Sequence, residues 1–344
     1  MKQERTALDS LPIIDLSPFA DGGCDADRRK SAADLRRACI DIGFFYLKGH
    51  GLSSERIRQV LDIGMRFFQL PLEEKVKLHQ SLSAGRHGYV GSGGIKESED
   101  EAKDDSADRR ERFRMTREPI PGEPADGLAP WSDPVWPAES LAPGFKDGMR
   151  DYLEVMVDLS QRLARAFALS LDLPESYFDG MFQFPDGVLF FNYYPPLTPA
   201  EVERRRWSFS PHADYGAFTL LLQDDVGGLQ ARNSAGAWID VPPMEGTLVV
   251  NIGDLFAMWT NDLYVSTLHR ASNVSGRARL SVPFFAGPHE STRIECIPTC
   301  ASAGDPPRHP PVLAGEYVRS LIEHQNRTGR PGVSDNTAER FEAA

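Results

Sequence analysis

The sequence predicts a mainly β protein with helices (α+β class), in which a double-stranded β-helix, or jelly roll, forms the core. A helical N-terminal region and one long supporting helix are expected beside it. Two patterns carry this prediction. Apolar residues repeat at intervals of three and four from residue 144 to about residue 171, and beyond residue 185 the interval shortens to two. Turn residues separate the short apolar runs of the second half, which is typical of a sandwich or barrel.

The N-terminal region alternates predicted strands with predicted helices. Ile13 and Ile14 belong to a short opening strand, and residues 27–42 carry apolar side chains at helical spacing. A second apolar strand covers residues 44–47. For the helix that follows, Ser53 and Ser54 both offer N-caps, and the helix ends at Pro71, because proline cannot continue a helix.

The segment 83–107 differs in composition from its surroundings, since it is rich in glycine first and in charge afterwards. Such a segment cannot bury enough apolar surface to join a core, so we expect a solvated loop. The alternative is a lid over the mouth of an active site. Proline-rich sequence at 119–143 then connects this segment to the long helix.

The second half of the chain supplies the strands of the predicted core. Each strand is short, rich in Val, Leu, Ile and Phe, and bounded by turn residues. A last helix is predicted from residue 314 to about residue 327, followed by a fraying tail. The predicted core strands are 188–194, 218–222, 246–252, 268–274 and 279–285.

Composition and charge exclude several classes of partner. The chain has 344 residues, 41 % of them hydrophobic, and can bury a sizeable core. A net charge of −12 argues against nucleic acid or a membrane surface. The N-terminal residues lack the apolar core of a signal peptide, and no apolar run reaches membrane-spanning length. We therefore expect a cytoplasmic protein, a monomer or weak homo-oligomer, that acts on a small molecule.

The cysteines point to the same compartment. Cys24, Cys39, Cys296 and Cys300 have neither the paired spacing of a zinc site nor the density of a disulfide framework. Free thiols in a reducing cytosol are the expectation, and such a compartment also keeps iron ferrous.

Three residues of the C-terminal half form a candidate metal site. His212 and Asp214 are two apart, so in a strand their side chains point the same way, and His269 must come from a strand folded alongside. Two imidazoles and one carboxylate on one face of an ion, with the other face open, suit non-heme Fe(II). A lone His-x-Asp pair is a weak signal, and the order and spacing of all three residues give the prediction its strength.

A second polar pair follows on a later strand. Arg279 and Ser281 alternate with Leu280 and Val282, so one face of this strand would be core and the other would line the barrel. A planar guanidinium fork beside a hydroxyl suits the binding of a carboxylate.

With these motifs, the chain resembles the isopenicillin N synthase-like family of Fe(II)/2-oxoglutarate-dependent oxygenases. The likeness extends over most of the length, with the divergent zone at 91–143. The motifs that carry it are Leu-Pro-Ile-Ile-Asp-Leu at 11–16, Asp-Ile-Gly-Phe-Phe-Tyr-Leu-Lys-Gly-His-Gly at 41–51, Phe-Phe-Gln-Leu-Pro-Leu-Glu-Glu-Lys at 67–75, Asn-Tyr-Tyr-Pro at 192–195, His-Ala-Asp at 212–214, His269, and Arg-Leu-Ser at 279–281.

The resemblance implies the cofactors and the reaction. Fe(2+), 2-oxoglutarate and O2 are expected, with ascorbate as a supporting reductant. The far carboxylate of 2-oxoglutarate would meet Arg279 and Ser281, and Asn192 and Tyr194 would also touch this cosubstrate. Succinate and CO2 would be released while an unactivated C–H bond of a small molecule in specialised metabolism or catabolism is hydroxylated, desaturated or cyclised.

The resemblance also suggests four regions of the chain. They are an N-terminal α/β region of the non-heme dioxygenase type at 1–120, a linker with the long supporting helix at 121–184, the jelly-roll core at 185–290, and a C-terminal strand, helix and tail at 291–344.

Substrate contacts are predicted from position alone, and ordinary packing or a solvated surface explains each of them as well. Several aromatic residues flank the metal motifs and would wall an apolar pocket. Arginines of the N-terminal region would bind a substrate carboxylate. The candidates are Tyr215, Phe209, Trp259, Phe284 and Phe285 among the aromatics, and Arg112, Arg86 and Arg114 among the arginines.

Three alternatives stay open on the sequence. An oxidase on the same scaffold would need no 2-oxoglutarate, because family members of that kind share the Arg-x-Ser pair. An ethylene-forming activity is suggested by the run at 223–229. A non-enzymatic jelly-roll binding module is the third, and the complete set of iron ligands argues against it.

Overall fold

The computed structural model describes residues 5–20, 22–85, 87–91, 108–119, 121–123, 132–203 and 207–328. Arg86, residues 92–107 of the predicted loop, which include most of the segment considered as a lid, and the tail beyond 328 lie outside the described residues. The prediction of a solvated loop is wrong for the described start of this segment, because Gly88–Val90 forms a strand in which Tyr89 and Val90 are buried.

Seven α-helices and fourteen strands occur in the described ranges. The helices are α1 (Asp25–Asp41), α2 (Ser54–Phe68), α3 (Leu72–Val76), α4 (Phe145–Ser170), α5 (Pro199–Glu203), α6 (Asp254–Trp259) and α7 (Ala314–Thr328). The strands are β1 (Ile13–Asp15), β2 (Phe44–Lys48), β3 (Gly88–Val90), β4 (Glu111–Thr116), β5 (Asp186–Tyr194), β6 (Phe209–His212), β7 (Phe218–Gln223), β8 (Leu229–Arg232), β9 (Trp238–Asp240), β10 (Leu248–Ile252), β11 (His269–Ala271), β12 (Arg279–Gly287), β13 (Arg293–Ile294) and β14 (Val312–Leu313).

Two sheets make up the centre of the protein. The larger has eight strands in the order β1-β2-β10-β7-β12-β5-β4-β3, and the smaller has four in the order β6-β11-β8-β9. Strands β13 and β14 form a separate pair. The N-terminal strands extend the larger sheet at both edges, since β2 pairs with β10 and β4 pairs with β5. Apolar patterning predicts β1 and β2 but misses β3 and β4, and it does not identify the distant partners of these strands.

The long helix α4 covers one face of the larger sheet. Its apolar stripe, which includes Met149, Met156 and Leu163, is fully buried. Phe145 at its start stacks on Phe67 of α2, with the ring centroids 4.3 Å apart. Burial of each large apolar side chain contributes roughly 1.5–3 kcal/mol, so this stripe is a major source of stability. Gly144 caps the helix at a φ of 72°, which glycine adopts readily.

The other face of the larger sheet looks into the space between the sheets. An apolar cluster that includes Tyr46, Leu221, Val249 and Ile239 fills part of this space. Cross-strand partners share a face, and Leu221 pairs with Pro283 of β12. The alternation along β12 therefore directs Arg279 and Ser281 into the same space, as the sequence predicted.

Two predicted strands are shorter in the structure. The interval 246–252 reduces to Leu248–Ile252. The interval 268–274 reduces to His269–Ala271 because Asn273 turns the chain. Its side-chain amide donates to the carbonyl oxygens of Tyr194 and Arg277, at 2.9 and 2.7 Å, and Val274 is exposed.

No helix in the described part of the chain is long and apolar enough to cross a membrane.

Candidate metal centre and adjoining anion pocket

The structure brings His212, Asp214 and His269 together. One ligand atom of each residue lies within 4.8 Å of those of the other two, and all three residues are buried. Asp214 Oδ1 is 3.7 Å from His212 Nε2 and 3.6 Å from His269 Nε2. His269 at the start of β11 pairs directly with His212 at the end of β6, so the second histidine does come from an adjacent strand.

The expectation that His212 and Asp214 share one strand is wrong. Strand β6 ends at His212, and Asp214 lies in the turn beyond it. The start of α6, just beyond β10, fixes this turn, since the Asp254 amide donates to the Asp214 carbonyl oxygen at 2.7 Å. Gly253 permits this approach, because a Cβ there would lie 2.2 Å from the carbonyl oxygen of Gly216. Backbone packing, rather than strand alternation, aims the carboxylate.

Hydrogen bonds orient both imidazoles. His212 Nδ1 lies 2.8 Å from the Ser210 carbonyl oxygen, and His269 Nδ1 lies 3.1 Å from the Thr267 carbonyl oxygen. A carbonyl oxygen only accepts, so each Nδ1 carries the proton and each Nε2 keeps its lone pair. Burial, and next the neighbouring His269, hold the pKa of His212 well below its ordinary value. A neutral imidazole is the form that binds metals.

The carboxylate of Asp214 is oriented in the same way. Its Oδ2 accepts hydrogen bonds from Asn251 Nδ2, at 2.7 Å, and from the Thr219 hydroxyl. Burial alone would raise the pKa of this carboxyl, but His269, His212 and the two donated hydrogen bonds hold it below its ordinary value. Oδ1 is left facing the two Nε2 atoms, so the three free ligand atoms converge. This donor set fits a divalent transition metal with open positions on the far side.

The second polar pair lies beside this centre on the larger sheet. Arg279 pairs across strands with Tyr194, and Ser281 pairs with Asn192. The Arg279 guanidinium lies 4.9 Å from the Tyr194 ring centroid, and the Ser281 hydroxyl is 3.4 Å from the Tyr194 hydroxyl. Gln223 Oε1 accepts from Arg279 Nη2 at 3.1 Å.

Two polar atoms of this group are buried without a hydrogen-bond partner among the described residues, namely Arg279 Nε and Asn192 Oδ1. Buried polar groups are rarely left unpaired, and a buried arginine rarely lacks an anion. No carboxylate forms an ion pair with Arg279 in the described part of the chain, so the pocket fits a bound anion.

The predicted substrate contacts divide into two groups. Phe209 stacks on His212 with ring centroids 3.8 Å apart, and Tyr215 follows the metal turn. Phe285 and Arg112 lie on the face of the larger sheet that looks between the sheets, because Phe285 pairs with Val188 and Arg112 with Asn192.

Trp259 and Phe284 do not belong to the pocket, and the prediction that they contact substrate is corrected. The Trp259 ring packs against the Phe178 ring, with centroids 5.1 Å apart, in the core beneath α4. Phe284 points to the same helix-covered side of the sheet. Its ring packs so closely on Gly187 that a Cβ at that position would lie 2.9 Å from it. Because side chains alternate along a strand, Phe284 and Phe285 lie on opposite faces of β12, as Leu280 and Arg279 do.

Several residues that shape the site were missed by the sequence reasoning. Thr219 and Gln223 lie on β7 at positions that alternate with Leu220 and Leu222 of the core. The alternation of side chains along a strand would therefore have predicted that both face the space between the sheets. Asn251 is the inward polar residue of β10 on the same argument. Arg110 gave no such signal, yet its guanidinium carbon lies 3.4 Å from the Phe209 ring centroid.

Two family models match the chain. Residues 185–288 match the 2OG-Fe(II) oxygenase superfamily, and residues 11–139 match the N-terminal region of the non-haem dioxygenases described for morphine synthesis. Together these matches cover more than half of the chain, including all the residues of the candidate site.

Individual relatives agree with the family models. The chain is 38% identical to the 2-oxoglutarate-Fe(II) type oxidoreductase ppzC of Metarhizium rileyi, over 91% of this chain and 87% of that protein. It also resembles the crystal structure of a full-length Neurospora crassa protein in complex with alpha-KG and thymine. That structure has a TM-score of 0.79 and 28% identity, with coverage of 92% of this chain and 97% of that one.

A further solved structure, JOX2 in complex with 2OG, Fe and JA, has a TM-score of 0.73 and 28% identity, with coverage of 92% of this chain and 86% of that one. The chain therefore belongs to the 2OG-Fe(II) oxygenase superfamily, in its isopenicillin N synthase-like part, and is an oxygenase that depends on Fe(II) and 2-oxoglutarate.

Proposed function

We propose that His212, Asp214 and His269 hold Fe(II), and that the enzyme oxidises an unactivated C–H bond of a small molecule by hydroxylation, desaturation or cyclisation. One observation carries the proposal. The two Nε2 atoms and Oδ1 converge, while the remaining polar atoms of the three side chains are engaged by the protein. With O2 and 2-oxoglutarate, the bound iron supplies the oxidising chemistry that yields succinate and CO2.

The role we propose for Arg279 is to bind and orient 2-oxoglutarate. Its guanidinium would take the far carboxylate, with hydroxyl donors from Ser281 and Tyr194 beside it. Gln223 holds one end of the guanidinium, and the Tyr194 ring lies against it. Asn192 Oδ1 accepts no hydrogen bond within the described residues. We propose that the Asn192 side chain also contacts the cosubstrate.

Exclusion of water is the second contribution of this chain. His212, Asp214, His269, Arg279 and Ser281 are each less than a tenth exposed. Electrostatic interactions strengthen where water is excluded, which favours both the bound anion and controlled use of the oxidant.

The rival activities receive less support. An oxidase without 2-oxoglutarate would leave the pocket at Arg279 without its anion. The run suggested for ethylene formation has a structural role, because Asp224 accepts from the amides of Val226 and Leu280. Gln223 at its start bonds Arg279.

The related structures carry small molecules, thymine in one and JA in the other, and we propose a small-molecule substrate here as well. The four regions of the chain, the cytoplasmic location and the monomer or weak homo-oligomer stay predictions from the sequence.

The test is succinate release by the purified enzyme with 2-oxoglutarate, O2 and ascorbate, with and without Fe(II), across a panel of small metabolites. We expect iron-dependent release that a substrate accelerates. His212→Ala and Asp214→Ala should abolish it, and His79→Ala, remote from the site, should not. Full activity in His212→Ala would contradict the assignment.

A further inference from the structure

Three arginines at alternate positions face the space between the sheets. Arg110 immediately precedes β4, and Arg112 and Arg114 lie within it. Arg112 pairs across strands with Asn192, and Arg114 pairs with Phe190. Cross-strand partners share a face, and Asn192 in turn pairs with Ser281. The three guanidinium groups therefore lie on the wall that continues from the anion pocket of Arg279.

Two of these arginines are already engaged by the protein. Arg110 lies over the Phe209 ring, and its Nε is 3.8 Å from an Asp108 carboxylate oxygen. Arg114 Nη1 donates to the Gly85 carbonyl oxygen at 2.9 Å.

Arg112 has no hydrogen bond or ion pair with any residue that the structure describes. Its guanidinium carbon instead lies 5.6 Å from the centroid of the Phe190 ring, which cannot neutralise its charge.

The surroundings of Arg112 disfavour its charge. Burial, followed by the positive charges of Arg110 and Arg114, lowers the pKa of Arg112 to about 9. The Asp108 carboxylate and Tyr194 offset this only in part. The side chain nevertheless keeps partial access to solvent. A desolvated cation with no ion pair among the described residues is unfavourable, and an anion bound between the sheets would stabilise it.

Arg112 and Arg279 lie on different strands of the larger sheet, although Tyr194 of the anion pocket acts on the charge of both. Arg279 is on β12 and Arg112 is on β4, with β5 between them. In the function proposed above, one carboxylate of 2-oxoglutarate meets Arg279 and the other lies at the metal. Arg112 is left for a different anion, on the substrate side of the centre.

Aromatic rings lie next to Arg112 on the same wall. Phe190 and Phe285 meet edge to face with centroids 5.6 Å apart, and both are partly accessible. Such rings suit an apolar body, and a guanidinium fork suits a planar carboxylate at the end of it. We propose that Arg112 binds a carboxylate of the molecule to be oxidised, whose apolar body lies along Phe190 and Phe285. This inference rests on the proposed function of the metal centre.

The test compares acids with their uncharged counterparts. Phenylacetate, phenylpropionate and cyclohexanecarboxylate, each paired with its methyl ester, are titrated calorimetrically into the anaerobic enzyme with Fe(II) and 2-oxoglutarate. Succinate release is then measured in air with the same compounds. Wild type should bind the acids at least tenfold more tightly than the esters. Arg112→Gln should lose this preference, Arg112→Lys should keep part of it, and Arg277→Gln, an exposed control, should keep all of it.

Each other outcome overturns the inference. Failure of the wild type to bind any acid more tightly than its ester removes the carboxylate subsite. A raised requirement for 2-oxoglutarate in Arg112→Gln, with the acid preference intact, assigns Arg112 to the cosubstrate instead. Iron-dependent turnover of 2-oxoglutarate without added acid monitors the proposed function separately. If the wild type lacked this turnover, the result would contradict the proposed function of the metal centre rather than the role of Arg112 alone.

Discussion

Asn251 Nδ2 donates to Asp214 Oδ2 at 2.7 Å, which links the end of β10 to the turn beyond β6. This bond joins the larger sheet to the candidate metal centre, and the Thr219 hydroxyl donates to the same oxygen. Because Oδ2 is occupied in this way, Oδ1 is the atom that faces both imidazoles. The orientation of the carboxylate therefore depends on two residues that do not touch the metal position themselves.

Removal of that support should weaken iron binding. Loss of a hydrogen bond behind a metal ligand typically costs about 10–100-fold in metal affinity or activity. We expect Asn251→Ala to lower Fe(II) affinity by a factor in this range, with turnover recovered at high iron concentration. Anaerobic titration with Fe(II) measures it. Asn233→Ala, outside the site, serves as the control, and an unchanged affinity in Asn251→Ala would show that Thr219 alone suffices.

The anion pocket gives a second prediction. Truncation of one partner of a buried charge pair commonly costs about 2–5 kcal/mol, so Arg279→Ala should raise the 2-oxoglutarate requirement more than tenfold. Iron should still bind. Ser281→Ala should have a smaller effect, since only a neutral donor is lost. Initial rates against 2-oxoglutarate concentration provide the measurement, and an unchanged requirement in Arg279→Ala would favour the oxidase hypothesis.

Gln223 offers a test of positioning as distinct from binding. Its Oε1 accepts from Arg279 Nη2 but would not itself meet the cosubstrate. A hydrogen bond to a charged group contributes about 1.5–3 kcal/mol. Gln223→Leu should therefore raise the 2-oxoglutarate requirement, and a double mutant with Arg279→Ala should be no worse than Arg279→Ala alone. Additive effects in this cycle would mean that Gln223 acts independently.

Stability should fall on acidification because buried histidines must become charged. Burial lowers the pKa of His50, His87 and His212 below its ordinary value of 6.5. At these three histidines the unfolded chain binds more protons than the folded one below about pH 6.5. Their protonation therefore favours unfolding as pH falls, by up to about 1.4 kcal/mol per pH unit for each histidine.

Urea unfolding of the iron-free protein at pH values of about 7.5, 6.5 and 5.5, on either side of the ordinary histidine pKa, checks this expectation. The midpoint should decrease most between the last two values, and His50→Gln should reduce the slope. A midpoint that is constant or rises toward the most acidic value would contradict the assignment of these rings as neutral.

Much of the fold followed from the sequence because its elements have strong local patterns. The apolar stripe of α4 predicted residues 144–171, against Phe145–Ser170 in the structure. Alternation on β12 correctly assigned Leu280 and Arg279 to opposite faces. The same rule would have excluded Phe284 from the pocket. Phe284 was predicted to contact substrate only because it lies next to a motif in the sequence, and that criterion was less reliable than strand alternation.

Other features depend on contacts between distant segments. Asp214 is aimed by the close approach of Gly253 and by Asn251, and neither pairing has a local signature. The attachment of β2 to β10 and of β4 to β5 likewise reflects chain topology. The sequence offered Arg112 only as one of three candidate arginines. Its neighbours in the structure single it out, because a desolvated arginine and a solvated one look alike in a sequence.

Anaerobic binding of Fe(II) to wild type and to His269→Ala tests the central claim most directly. The account predicts one Fe(II) per chain in the wild type, with a visible absorption band when 2-oxoglutarate is added. His269→Ala should bind iron far more weakly and lose that band while keeping the far-ultraviolet circular dichroism of the wild type. A folded His269→Ala variant that binds one Fe(II) with wild-type affinity would contradict the assignment of His212, Asp214 and His269 as the metal centre.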